Sequence, residues 1–220
     1  MEGILEEEAK ELNKIFIKNQ LEKKPYIMTK IALTLDYKIA KEKNKPTVIT
    51  NEKSHLLVQK LRSEYQAILS ASGTILADNP RLNVRLKNKK SPIRIIFDVN
   101  NKLDFRFNVF KNDSVRIILI NNSNIKVPNH VEKIPFVNFD ELFKTLYNMG
   151  IYSIMTEAGQ GLNSMLFEAR EIDEINCFIA PKIFNNGVNF TYDVGEINFK
   201  NVKIKNIDDD ILINAKVIKE

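Results

Sequence analysis

Chemistry that depends on sulfur or imidazole has almost nothing to work with in this chain: Cys177 is its single cysteine, and His55 and His130 are its two histidines. One cysteine cannot close an intramolecular disulfide, and one cysteine with two histidines cannot assemble a zinc site of the Cys/His type. A reducing compartment fits that usage. No Gly-x-Ser-x-Gly elbow is present and Cys177 lacks an activating context, which argues against acyl transfer. A Walker-type Gly-x-x-x-x-Gly-Lys sequence is also missing, and with it the usual argument for nucleotide hydrolysis. No apolar run is long enough to span a bilayer, and the start, Met1-Glu2-Gly3-Ile4-Leu5-Glu6-Glu7-Glu8, has no basic region followed by an apolar one. The expectation is a cytoplasmic protein with no metal and no membrane partner.

What is present suffices for a folded domain. A chain of 220 residues, 44% hydrophobic with 13 phenylalanines, can bury one sizeable core. Its 33 basic residues exceed the 28 acidic ones by a modest margin spread along the chain, so nucleic acid is not the expected partner. A mildly positive cleft would instead raise the local concentration of a phosphorylated small molecule.

The chain reads as alternating strands and helices. Residues 3–20 carry Ile4, Leu5, Leu12, Ile15 and Phe16 at helical spacing, and Pro25 ends that pattern. Tyr26–Leu35 has the composition of a buried strand. Asn51 or Ser54 is positioned to cap a helix running to about Tyr65, before a short strand at Gln66–Ser70 and a turn-rich stretch at Ala71–Pro80. Strands are expected at Ile93–Asp98, Val115–Ile120 and Ile151–Thr156, with a helix at Asp140–Met149 stopped by Gly150 and another at Gly159–Arg170. Glu174–Pro181, Ile197–Ile207 and Ile211–Ile218 are strand-like, with no room for a helix between the last two, so they should close a mostly parallel sheet with antiparallel strands.

Three constellations could carry chemistry. Thr156-Glu157-Ala158-Gly159-Gln160-Gly161 lies where a buried strand hands over to a helix, and glycines with free N–H groups there suit a pyrophosphate. A tight strand-to-helix turn explains the same residues equally well, and Ser164 at the place of a third glycine weakens a Rossmann reading. The second, Ser70–Arg85, follows another buried strand; Thr74 and Asp78 could bind ribose or amide groups and Arg85 a phosphate, against a plain turn and a solvated charge. In the third, Lys30 stands inside an apolar run and needs an anionic partner, either Asp36 or Glu157 in an internal ion pair or a substrate phosphate. Arg62, near the end of its helix, has a plainer alternative to a ligand role, since cations near helix C-termini are ordinary.

In order, Pro25-Tyr-Ile-Met-Thr-Lys30, Thr34-Leu-Asp36, Leu61-Arg62, Gly73-Thr-Ile-Leu-Ala-Asp78-Asn-Pro80, Val84-Arg85, Pro92-Ile-Arg94, Glu157-Ala-Gly159, Ile172-Asp-Glu174 and Ile179-Ala-Pro181 form a set far more specific than any one of them. From Lys24 to about Gly187 the chain resembles the reductase domain of the bifunctional riboflavin-biosynthesis deaminase/reductase. The resemblance implies an α/β fold, a dihydrofolate-reductase-like mixed sheet, mostly parallel with antiparallel C-terminal strands and helices on both faces. Residues 1–24 resemble the junction that follows the deaminase domain, a helix or linker remnant, with residues 25–220 as the reductase domain; the deaminase's zinc motif is absent.

The implied reaction is NADPH-dependent reduction of 5-amino-6-(5-phosphoribosylamino)uracil to the 5-phosphoribitylamino product. By the same resemblance Ala32, Thr74, Asp78 and Gly159, Gln160, Gly161, Leu162, Asn163, Ser164 and Met165 would contact NADPH. Lys30, Arg62, Leu82, Arg85 and Glu157 would contact the phosphorylated pyrimidine, with Asp78 or Glu157 assisting proton delivery. A homodimer and a deaminase domain or protein are the implied partners. Tyr37 replaces the family's usual glycine, Pro46 a serine and Val48 a tryptophan, departures that leave open an altered substrate or a non-catalytic nucleotide-binding module.

Overall fold

The computed structural model describes residues 5–219. Two short helices come first, α1 (Glu6–Leu12) and α2 (Lys14–Glu22), separated at Asn13. The single helix expected over residues 3–20 is thus two, because Asn13 leaves helical geometry at φ −101° and ψ 13°; Gly3 and Ile4 lie outside the described residues. Then follow β1 (Tyr26–Thr34), β2 (Lys38–Ala40), α3 (Glu52–Glu64), β3 (Ala67–Ala71), α4 (Ser72–Asp78), β4 (Ile93–Phe97), a 3-10 turn (Asn108–Phe110), β5 (Ile117–Ile120) and β6 (Val131–Ile134). The second half runs α5 (Phe139–Asn148), β7 (Ser153–Thr156), α6 (Gln160–Glu168), β8 (Glu174–Ala180), β9 (Val188–Asn189), β10 (Phe199–Ile207) and β11 (Asp210–Val217).

Nine of these strands form one sheet in the order β10-β11-β8-β1-β7-β3-β4-β5-β6. From β8 to β6 every pairing is parallel, whereas β11 joins β8, and β10 joins β11, antiparallel. The sheet is mostly parallel and mixed, closed on one side by antiparallel C-terminal strands. A parallel strand covered on both faces must be apolar at successive positions, and Ala67, Ile68 and Leu69 of β3 are all fully buried.

Alternate residues feed the two faces. Ile27, Leu69, Ile95, Ile118 and Ile154 meet Phe143 and Leu146 of α5 and Leu166 of α6. On the opposite face Met28 and Met155 meet Val58 of α3, while Ile68, Ile96 and Leu119 meet Ile75 of α4. Each such side chain contributes about 1.5–3 kcal/mol on leaving water. Helices therefore cover both faces.

The turn-rich reading of Ala71–Pro80 is corrected: Ser72–Asp78 is helical, held by the complete burial of Ile75 and ended by Asn79 at φ 41°. Of the two candidate caps for α3, Asn51 serves, its side chain accepting from the Ser54 N–H, whereas Ser54 Oγ donates to Asp210. Asp36 closes β1 by accepting from the main-chain N–H groups of Phe184 and Asn185. The next residue, Tyr37, sits at φ 62°, a region that favours the glycine it replaces. A separate ribbon pairs β2 with β9, and Gly187 permits it: a Cβ there would lie 2.5 Å from Ala40 O.

Candidate active site

The carboxyl ends of β1, β3, β4 and β7 open into one cavity of about 820 Å³. Such ends are where open α/β sheets collect ligands. Lys30 and Ala32 enter from β1, Thr74 and Asp78 from α4, and Glu157 from just beyond β7. Gly159, Gln160, Gly161, Leu162 and Met165 form the wall at the start of α6, with His55 of α3 and Lys102 beyond β4 further round.

Glu157 is fixed by Arg62. Arg62 Nε and Nη2 reach the two carboxylate oxygens at 2.5 and 2.8 Å, and Nη1 donates to Asn83 O at 3.2 Å. Both side chains are mostly buried, 14% and 12% exposed, so the bidentate pair is shielded from water. Burial alone would raise the Glu157 carboxyl, but Arg62 and, more weakly, Lys30 outweigh it and hold the group below the ordinary carboxylate range.

Lys30 forms an ion pair with neither Asp36 nor Glu157; among the described residues no carboxylate lies within ion-pair distance of it. Desolvation lowers its ammonium below the ordinary lysine value, opposed mainly by Glu157. Asp78 responds in the opposite sense. Burial raises its carboxyl, Lys30 pulls it back, and the Glu157 charge adds to the rise. The cavity thus holds two carboxyls driven apart, one kept ionised and one kept more readily protonated, the arrangement that separates acid from acceptor roles.

The α6 terminus supplies the other half of the cavity. Gly159 is its N-cap and gives no side-chain cap, so the first-turn N–H groups face the space lined by Gly159, Gln160 and Gly161. A Cβ on Gly161 would touch nothing, and one on Gly159 would stand 3.6 Å from Thr74 Oγ1, leaving room for a ligand against the backbone. The helix is anchored from within: Ser164 Oγ donates to Gln160 O and accepts from Tyr192 N, and Asn163 Nδ2 donates to Ala158 O.

Of the residues singled out from sequence, Lys30, Ala32, Thr74, Asp78, Glu157, Gly159, Gln160, Gly161, Leu162 and Met165 line this cavity together. Asn163 and Ser164 are buried inside α6. Arg62 is turned onto Glu157, and exposed Arg85 lies outside the lining, its backbone N–H donating to Gln59 Oε1. Leu82 is a core residue, 2% exposed and packed with Ile68 and Ile75, at φ 50°. Pro46 and Val48 are exposed and outside the lining, although their neighbours Lys45, Thr47 and Ile49 belong to it. The sequence reading passed over His55 and Lys102. His55 stands seven residues before Arg62, two turns along one helix face, and that spacing was the available signal.

Among the described residues no helix is long and apolar enough to cross a membrane, and no three His, Cys, Asp or Glu side chains are grouped to hold a metal. The RibD C-terminal domain family matches residues 25–213. This chain belongs to that family. Relatives of this RibD C-terminal domain include riboflavin biosynthesis protein RibD of Actinobacillus pleuropneumoniae, 33% identical over 83% of this chain and 52% of that protein. A Buchnera aphidicola protein named 5-amino-6-(5-phosphoribosylamino)uracil reductase is 35% identical over 63% of this chain and 76% of its own length. The chain therefore spans about half the length of the first RibD protein and more of the second. A solved Thermotoga maritima diaminohydroxyphosphoribosylaminopyrimidine deaminase/5-amino-6-(5-phosphoribosylamino)uracil reductase aligns with a TM-score of 0.88 at 31% identity, over 98% of this chain and 63% of that one. Dihydrofolate reductase from Enterococcus faecalis shares the fold alone, with a TM-score of 0.55 at 10% identity over 88% of this chain and 97% of that one. The sheet of this RibD C-terminal domain is thus dihydrofolate-reductase-like.

Proposed function

We propose that this RibD C-terminal domain reduces 5-amino-6-(5-phosphoribosylamino)uracil to its 5-phosphoribitylamino product with NADPH as hydride donor. The observation that carries the reading is the cavity that places an uncapped helix terminus beside Asp78, Lys30 and Glu157. Free first-turn N–H groups and the open space at Gly161 fit a pyrophosphate, so Ala32, Thr74, Asp78 and the Gly159–Met165 segment would hold the dinucleotide, the buried Asn163 and Ser164 by fixing its helix. Bound there, the reduced nicotinamide supplies the hydride.

The protein's own share is positioning and proton management. Hydride arrival at the sugar carbon attached to nitrogen must be matched by a proton on the ring oxygen as the ring opens to the ribityl chain. Asp78, whose carboxyl burial keeps protonated further toward neutrality, is assigned to hold that proton. Glu157, kept ionised by Arg62, is assigned to accept hydrogen bonds from the substrate, and Lys30 to face its oxygen atoms.

The same reading assigns cytoplasmic action beside a deaminase, and a homodimer. The homodimer is supported by β10, an edge strand with Val202 and Ile204 exposed, and light scattering tests it.

NADPH oxidation followed by absorbance, with phosphorylated and dephosphorylated ribosylaminouracil side by side, tests the activity. Turnover of the phosphorylated compound, lost in Gly161→Asp, is expected; NADPH binding without turnover of either compound overturns the reading. The variant should fold, since a side chain at 161 meets nothing, while its carboxylate repels a phosphate.

A further inference from the structure

Arg62 is poorly placed to meet a substrate anion, because three of its nitrogens are already committed to Glu157 and Asn83. Other basic groups nearby have no such commitment. Among the described residues, neither Lys30 nor Arg85 has a carboxylate partner. His55 of α3 is close enough to both to feel their charge. On α3 it shares a face with Gln59 and Arg62; Gln59 Oε1 accepts from Arg85 N at 2.9 Å, which holds the Arg85 segment against that face. His55 itself lines the cavity with Lys30 and Thr50, and its ring has no hydrogen-bond partner among the described residues.

The carboxylate that acts on His55 from β11 gives little relief. Asp210 of β11 is turned onto Asn51 N and Ser54 Oγ at 2.8 and 2.6 Å. Lys30 from β1, Arg62 from α3 itself and Arg85 from the loop after α4 all act on the imidazole, with Asp210 opposing them. Glu157, the carboxylate that shares the cavity with Lys30 and His55, is already neutralised by Arg62, so the remaining basic groups repel one another on their own and are favoured once an anion sits among them.

We propose that His55, beside Lys30 in the lining, binds the substrate phosphate on the α3 wall of the cavity, with Arg85 completing the site from outside the lining. The assignment rests on the reductase reading for the molecule that carries the phosphate, though not for the anion itself. Burial and the neighbouring cations hold the His55 imidazole below its ordinary value, so it meets the ligand as a neutral N–H donor and gains a proton as a dianion settles beside it.

Two histidines make the test direct. His130 is bonded to Phe110 O near the start of β6 and serves as the internal control. In the full chain, ring resonances of His55 should move on titration with ribose 5-phosphate and stay in place with ribose, while those of His130 stay in place with both. In turnover, His55→Ala should raise KM for the phosphorylated substrate by about tenfold or more, and by far less for the dephosphorylated one, with kcat changing least. His55→Arg should recover most of that preference and lose the pH dependence of KM that His55 supplies. An unmoved His55 resonance, or an equal loss on both substrates in His55→Ala, overturns the proposal. A resonance that moves with ribose 5-phosphate in a protein that never oxidises NADPH sustains the phosphate site and removes the reductase reading instead.

Discussion

Arg62 and Glu157, both expected from the sequence to meet the substrate, hold each other in the folded protein. Removing the guanidinium leaves a mostly buried carboxylate without its partner, so Arg62→Ala should lower the unfolding free energy at pH 7 by about 3 kcal/mol, measured in urea. The pH dependence has a definite sign. Because the folded-state value of Glu157 lies below the ordinary 4.5, its stabilisation is present above that value and disappears as pH falls through the folded one. The difference between wild type and Arg62→Ala should therefore shrink in acid. Asp78 follows the reverse rule, its carboxyl being raised. Asp78→Asn should reduce kcat by about 10²- to 10³-fold with KM for NADPH much less affected, and the wild-type rate should fall as pH rises past the Asp78 value. If kcat survives the replacement, the proton comes from elsewhere.

Among the elements, those with long, repeated apolar patterns were legible: β1, α3, β3, α5, α6 and β8 lie within a few residues of where composition and spacing put them. Those without a pattern were not. Nothing in Ser72–Asp78 declares a helix, since Gly73 weakens it and Asn79-Pro80 reads as a turn; packing of Ile75 against the sheet decides the matter, and a window of local sequence does not contain that contact. The ribbon of β2 and β9 is likewise set by its partner rather than by its own residues. Gly187→Ala should force these strands apart, because the added carbon would lie 2.5 Å from Ala40 O. The expected cost is about 1–3 kcal/mol in thermal or urea unfolding, with a rise in KM because β2 and β9 both contribute to the cavity wall. An unchanged melting temperature would show that the ribbon yields freely. For the site, residue types and order located the cavity, but the Arg62–Glu157 pairing and the burial of Leu82 are tertiary facts that no spacing encodes.

For the whole molecule, the sheet is anchored at its start by ions as well as by apolar packing. Asp173 Oδ1 accepts from Lys18 and Lys219 at 2.6 Å each, and its Oδ2 accepts from Ile27 N at 2.7 Å, so one carboxylate joins α2, the beginning of β1 and the C-terminal residues. Lys14 and Tyr26 do the same through Glu174. Asp173→Asn would leave the Lys18 charge, which is 6% exposed, with the longer 3.4 Å pair to Glu22 in place of its 2.6 Å one, and should cost about 3 kcal/mol in urea unfolding. A loss below 1 kcal/mol would mean that α2 detaches without consequence.

The sheet order also sets a timetable for synthesis. β3, β4, β5 and β6 pair in the order in which they are made, whereas β1, made before them, has for neighbours in the sheet only β7 and β8, with Tyr26 opposite Ser153 and Met28 opposite Glu174. An apolar strand must wait, with both edges open, until β7 and β8 have emerged, which makes the nascent sheet a natural client for chaperones and the β3–β6 block the first part of this sheet able to condense.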